Sequence, residues 1–263
     1  MVKVCNEGVK ERKVKERIIS LCLVGALMLS GCASATSPSS NSSSGQSNEE
    51  EIIEMKNIVI FGDSYSTFDG YIPKENLTYY PSYNVLEAEQ TWWGQLVEKT
   101  GANLVLNDSW SGSTICNTGY YGGDCSRTNS FIYRYEKLQK EGFFEKNEVD
   151  TIFVFGGTND SWAESPLGER MSSGWTDTDL YYVLPAISYF MDTLKADLPE
   201  ANIIFIVNTE IKEEITFCME WAADYFGVKV VRLNNVQKKD GHPTAKGMTT
   251  ICDQIMGVLF DLG

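Results

Sequence analysis

The stretch Asn57-Ile-Val-Ile-Phe-Gly-Asp-Ser-Tyr-Ser66, "NIVIFGDSYS", decides how the rest of the chain is read. Its first half is a short, continuous apolar run of β-branched and aromatic residues, the pattern of a strand buried on both faces. Its second half leaves that strand through Gly62, Asp63 and Ser64, small and polar residues suited to a tight turn. Four further runs share the pattern of the first half: 103–106 "NLVL", 151–155 "TIFVF", 203–207 "IIFIV" and 229–233 "KVVRL". Between and after them lie helix-like stretches near 90–100, 129–141, 179–198, 211–226 and 244–261. In the last, Met248, Ile251, Cys252, Ile255, Met256 and Val258-Leu259 fall at the spacing of one buried helical face. Alternating strands and helices predict an α/β domain with a five-stranded parallel sheet and helices on both faces. There is no internal repeat.

In such a sheet, ligands gather at the carboxyl ends of the strands. The loops that follow the first three strands, about 62–89, 107–128 and 156–177, are long and rich in Tyr and Trp. They carry "GDSYS" (62–66), "NDSWSGST" (107–114) and "GGTND" (156–160), and "KDGHPTAKGM" (239–248) opens the last helix. These four stretches, in this order, resemble blocks I, II, III and V of the SGNH (GDSL-type) hydrolase superfamily, over nearly all of residues 56–263. The resemblance implies a three-layer flavodoxin-like sandwich and a serine esterase with no cofactor. It implies Ser64 as nucleophile and His242 as base, with an oxyanion hole formed by the backbone N–H groups of Ser64 and Gly112 and the side chain of Asn159.

The chemistry is consistent with those assignments. A serine hydroxyl attacks only when a base takes its proton, and imidazole, with a pKa near ~6.5, suits that task at neutral pH. His242 is the single histidine of the chain. The motif differs from the G-x-S-x-G elbow, because position 66 is Ser. Asp63 is expected to stabilise its turn by local hydrogen bonds, and Ser66 to be structural. The family places its acid three residues before the histidine, where this chain has Lys239. Three arrangements stay open: Asp240 as the catalytic acid, Glu210 at the end of the fourth strand, or a backbone carbonyl orienting His242 in a Ser–His dyad.

The N-terminus reads as a targeting segment. Residues 1–17 are net basic, 18–30 are apolar, and Leu29-Ser-Gly-Cys32 resembles a bacterial lipobox. The expectation is a signal peptide over 1–31, lipidation of Cys32, a Ser-rich tether over 32–55 and a hydrolase domain over 56–263. The protein is then exported and anchored to the cell envelope, touching membrane only through its lipid. Of the remaining cysteines, Cys116, Cys125, Cys218 and Cys252, the pair Cys116–Cys125 is placed to close the loop "CNTGYYGGDC" as a disulfide.

A net charge of −14 with no basic cluster in the body of the chain argues against nucleic acid as a partner. The expected substrate is a small acyl ester, acetyl foremost, on an extracellular glycan, with loop aromatics placed to stack on sugar rings. The competing readings are a glycan-binding surface lipoprotein without activity, and a phosphohydrolase using Asp63 and Asp160 as metal ligands. No Cys/His metal-ligand set is apparent.

Overall fold

The computed structural model describes residues 55–260; the expected signal peptide, Cys32 and tether fall outside them, apart from position 55. Five strands, β1 (Asn57–Gly62), β2 (Asn103–Ser109), β3 (Thr151–Gly156), β4 (Asn202–Val207) and β5 (Lys229–Arg232), form one parallel sheet in the order β2-β1-β3-β4-β5. All five expected strands are present. The central three are buried along almost their whole length, which is why they read as continuous apolar runs rather than alternating ones.

Alternate residues of each strand feed two separate cores. Val59, Phe61, Ile152, Val154, Phe205 and Val207 face one side. There they pack against α2 (Phe131–Lys140), α5 (Val183–Asp197) and α6 (Glu213–Phe226). Ile58, Ile60, Phe153, Phe155, Ile204 and Ile206 face the other, against α1 (Trp92–Thr100) and α7 (Ala245–Phe260). Trp92 and Trp93, adjacent at the start of α1, are both buried. Their indole N–H groups both reach back to Ser66, to its Oγ at 3.1 Å and its carbonyl at 2.9 Å. Ser66 is therefore structural, as expected. Two short helices, α3 (Phe143–Lys146) and α4 (Thr158–Trp162), complete the set. They are too short for a periodic apolar pattern to mark them in the sequence.

The chain order places β2 on one side of β1 and β3 on the other. The loops leaving β1 and β3 therefore diverge, opening the crevice expected at a topological switch point. A two-stranded hairpin, β6 (Lys238–Lys239) and β7 (His242–Pro243), precedes α7. Its turn residues Asp240 and Gly241 have φ of +49° and +80°, the left-handed pair of a two-residue hairpin, for which Asp-Gly is a favoured sequence.

The four cysteines are free thiols, contrary to the expected Cys116–Cys125 disulfide. The Cys116 thiol turns inward to the Thr118 carbonyl at 3.3 Å. The loop is closed instead by main-chain bonds, Gly119 N–H to Gly123 O at 2.8 Å and Cys125 N–H to Asn117 O at 2.8 Å.

Gly62 is required by proximity rather than by its dihedral angles. A Cβ there would sit 2.4 Å from Ser109 Oγ and 2.5 Å from Ser66 Cβ. Gly62→Ala is expected to destabilise the fold by about 1–3 kcal/mol through overpacking, read as a lower midpoint in chemical denaturation, with loss of activity because the strand exit must shift.

Candidate active site

Ser64 follows β1 in a turn fixed by its neighbours. Asp63 Oδ1 accepts the Tyr65 N–H at 2.9 Å, the local bond expected of an Asp at a strand exit. The Ser64 carbonyl accepts from the Thr67 hydroxyl at 3.1 Å, and that hydroxyl in turn accepts the Tyr79 N–H at 2.9 Å. The serine Oγ lies 2.9 Å from His242 Nε2. Two residues separated by most of the domain are thus brought into hydrogen-bond contact.

His242 Nδ1 lies 3.2 Å from the backbone carbonyl of Asp240. A carbonyl only accepts, so Nδ1 carries the hydrogen and Nε2 is left to accept from Ser64. Of the three arrangements the sequence leaves open, the geometry is that of the carbonyl. The Asp240 carboxylate points away and accepts the Tyr83 hydroxyl at 2.6 Å. Glu210 pairs with Lys238 at 3.0 Å. The tight Asp-Gly turn accounts for this: it brings the Asp240 carbonyl under the imidazole while its left-handed backbone directs the side chain outward.

Tyrosines of the β1 loop hold the hairpin from both sides of His242. The Tyr65 hydroxyl donates to the Gly241 carbonyl, and the Tyr80 hydroxyl to the Pro243 carbonyl at 2.6 Å. The imidazole is flanked by Tyr79, stacked at 3.6 Å between ring centroids and 9° between planes, by Tyr65 at 5.5 Å and by Trp162 at 5.8 Å. Partial burial lowers the His242 pKa below the ordinary imidazole value; the bond to the Asp240 carbonyl opposes this, and the Lys238 charge adds to it. The ring is neutral at neutral pH and available as a base. These tyrosines stand out in the sequence only as loop aromatics; nothing there marks their hydroxyls as ties to residues 241 and 243.

Asn159 is tied to the residue that follows Gly112. Gly112 has φ +82°, a left-handed conformation that favours glycine. Asn159, almost wholly buried in the first turn of α4, donates from Nδ2 to the carbonyl of Ser113, the residue after Gly112, at 3.0 Å. Its Oδ1 accepts from the Tyr120 hydroxyl at 2.8 Å, which fixes the orientation of the amide. One Nδ2 hydrogen remains for a ligand. Arg134 braces the loop from below: its buried guanidinium donates to the carbonyls of Asp108 and Gly62 and to Ser113 Oγ, and pairs with the Asp108 carboxylate at 3.2 Å.

Asp63 and Asp160 do not form an open carboxylate pair. Asp160 is buried, and its two oxygens accept the N–H groups of Ile115 at 2.9 Å and Cys116 at 3.0 Å, tying the β2 loop to α4. Asp63 Oδ2 is buried and has no hydrogen-bond partner among the described residues. Burial pushes the Asp63 carboxyl up to about 7, against the bond from Tyr65 and the nearby Thr158 hydroxyl.

The chain matches the GDSL-like lipase/acylhydrolase family over residues 56–259. A solved structure from Bacteroides uniformis ATCC 8492, described as a GDSL-like lipase, is 41% identical, with a TM-score of 0.71 over 77% of this chain and 94% of its own. A similarly described protein from Bacteroides ovatus ATCC 8483 is 40% identical, with a TM-score of 0.70 over 76% of this chain and 96% of its own. An acetyl xylan esterase from the rumen bacterium Butyrivibrio proteoclasticus shares the fold at 19% identity and a TM-score of 0.51, over 80% of this chain and 64% of its own. No curated protein matches in sequence.

The raised Asp63 pKa makes a stability prediction. The folded state holds this proton more tightly than the unfolded chain, so the contribution is present at acid pH and is lost as pH rises from 3.8 through about 7. Asp63→Asn keeps an acceptor for Tyr65 and removes the titration. Denaturation midpoints of wild type and variant, compared between about pH 5 and pH 8, are expected to diverge as pH rises, with the variant gaining.

Proposed function

Since the chain belongs to the GDSL-like lipase/acylhydrolase family and is an SGNH esterase, we propose that it hydrolyses small acyl esters, acetyl foremost, on extracellular carbohydrate through a Ser64–His242 dyad. The observation that carries the dyad is the 2.9 Å contact of Ser64 Oγ with His242 Nε2, with Nδ1 held by a main-chain carbonyl. In this reading His242 Nε2 takes the Ser64 proton as Oγ attacks the ester carbonyl carbon. The resulting oxyanion lies against the N–H groups of Ser64 and Gly112 and the remaining Nδ2 hydrogen of Asn159, donors fixed before the charge develops. Collapse breaks the bond to the alkoxide, which receives the proton from Nε2. Water, deprotonated by the same nitrogen, attacks the acyl-serine and releases the acid and free Ser64.

The carbohydrate reading is supported by exposed aromatic side chains in the loops at the strand ends. Tyr121 is fully exposed at the tip of the 116–125 loop with φ +58°, and Tyr120, Trp162 and Tyr83 are also exposed. A bulky aromatic held in the left-handed region and presented to solvent is a costly arrangement of the kind found at binding sites. Export and anchoring through lipidated Cys32, drawn from the leader sequence, would place the enzyme beside envelope or environmental glycans. The acetyl xylan esterase on the same fold is consistent with that substrate class.

Ser64→Ala is expected to abolish hydrolysis of p-nitrophenyl acetate and labelling by a fluorophosphonate. Equal rates in the two proteins, or no labelling of wild type, would return the protein to a glycan-binding role. Acetate release from a panel of acetylated xylan, mannan, pectin and peptidoglycan then tests the substrate, and no release from any of them refutes the carbohydrate assignment.

Asp240→Asn keeps the main-chain carbonyl, and Asn tolerates the left-handed conformation at this position. Turnover is expected to fall by less than about tenfold, whereas loss of an acid–base partner costs about 10²–10⁴. A loss in that larger range would restore the carboxylate to the machinery.

A further inference from the structure

The dyad has an electrostatic gap. When Ser64 attacks, His242 becomes an imidazolium, and in a triad an adjacent carboxylate stabilises that charge. Here, among the described residues, Nδ1 meets only the Asp240 carbonyl. The charged groups nearby do not make up the difference. The Asp240 carboxylate is exposed and engaged by Tyr83, with the Lys239 ammonium 4.5 Å from the Tyr83 ring. Lys238, 5.6 Å from the Tyr65 ring, repels a positive imidazole, and its own partner Glu210 is exposed. What does lie on the imidazole is the face of Tyr79, parallel to within 9° at 3.6 Å. Tyr65 and Trp162 approach at 51° and 74°, each more than 5 Å away.

We propose that Tyr79 is a positioning residue of the dyad: its ring fixes the plane of the His242 imidazole, and its π face stabilises the imidazolium in place of a carboxylate. An aromatic face within about 6 Å of a cation attracts it through the ring quadrupole, more strongly when the pair is shielded from water. Tyr79 is half-buried and well held for this purpose. Its N–H donates to Thr67 Oγ1, the same hydroxyl that donates to the Ser64 carbonyl. Nucleophile and stacking ring therefore hang on one buried threonine, and the imidazole is held between them.

The inference rests on the Ser64–His242 reading for its catalytic meaning, and its first test is independent of hydrolysis. His242 is the only histidine, so protein purified without a histidine tag gives a single imidazole signal whose titration can be followed by NMR. Tyr79→Phe keeps the π face and is expected to titrate as wild type. Tyr79→Leu covers the same ring without π electrons and is expected to titrate about one pH unit lower. The acid limb of kcat/KM should move with it, and kcat for p-nitrophenyl acetate should fall about tenfold at nearly constant KM. Should Tyr79→Leu fail to fold, a polyfluorinated phenylalanine at position 79 weakens the quadrupole at nearly constant shape and is expected to shift the titration in the same direction. An unchanged or raised titration in the leucine or fluorinated variant overturns the proposal, since looser packing alone would hydrate the imidazole and raise it. A fall in Tyr79→Phe equal to that in Tyr79→Leu also overturns it, by placing the effect in the hydroxyl. An active Ser64→Ala removes the dyad itself while leaving the titration result readable.

Discussion

The site depends on the grip of the β1 loop on the hairpin that carries His242. Ser64 sits at the end of the first strand and His242 immediately before the last helix, so their 2.9 Å contact must be held by something other than local chain geometry. The Tyr65 and Tyr80 hydroxyls accomplish this by bonding the carbonyls of Gly241 and Pro243, one on each side of the histidine. Both rings are fully buried in the core that α1 and α7 share with the sheet. The hairpin is thus referenced to the buried core, and side chains that fill the core also align His242 with Ser64.

A buried polar layer performs the same service for the β2 loop that carries Gly112. Asp160 accepts from two main-chain N–H groups of the β2 loop, and Arg134 donates to the carbonyl of Asp108 at the end of β2, to the carbonyl that ends β1 and to Ser113 Oγ, beside its ion pair with the Asp108 carboxylate. Removing such charges from water is costly unless their hydrogen bonds are made. Here most of the bonds are to backbone, which turns the cost of an unmade bond into a constraint on loop conformation. Gly112, in its left-handed turn, lies between two residues fixed in this way: Trp110, whose N–H reaches Gly62 O at 3.0 Å, and Ser113, whose carbonyl holds Asn159.

The fold was legible because parallel strands buried on both faces leave uninterrupted apolar runs, and all five runs became strands. The residues at their ends were legible as a pattern of Gly, Asp, Ser, Asn and His at strand exits, and of these the structure brings Ser64 and His242 into hydrogen-bond contact. The orientation of His242 was not, since Asp240 reads as an acid near a histidine whether its carboxylate or its carbonyl is used. Only the pair of positive φ angles at Asp240 and Gly241 separates the two. The expected Cys116–Cys125 bond failed for a related reason: a closed loop can be closed by backbone, and the thiols are left to weaker contacts. The Tyr65 and Tyr80 hydroxyls were invisible because each bonds a main-chain carbonyl, and carbonyls leave no trace in a sequence.

One consequence concerns how substrate preference can vary on this scaffold. The 62–83 segment supplies Ser64, Tyr65, Tyr79, Tyr80 and Tyr83, each engaged with the hairpin, so change there disturbs the base. The 116–125 loop is differently placed. Its tip presents Tyr121 to solvent, while the adjacent Tyr120 bonds the Oδ1 of Asn159. That bond orients the amide without touching the nucleophile or base. A group resting on the tip is therefore one residue from the hydrogen bond that orients the Asn159 amide, and through that bond a contact at the loop tip is joined to a buried amide just past β3.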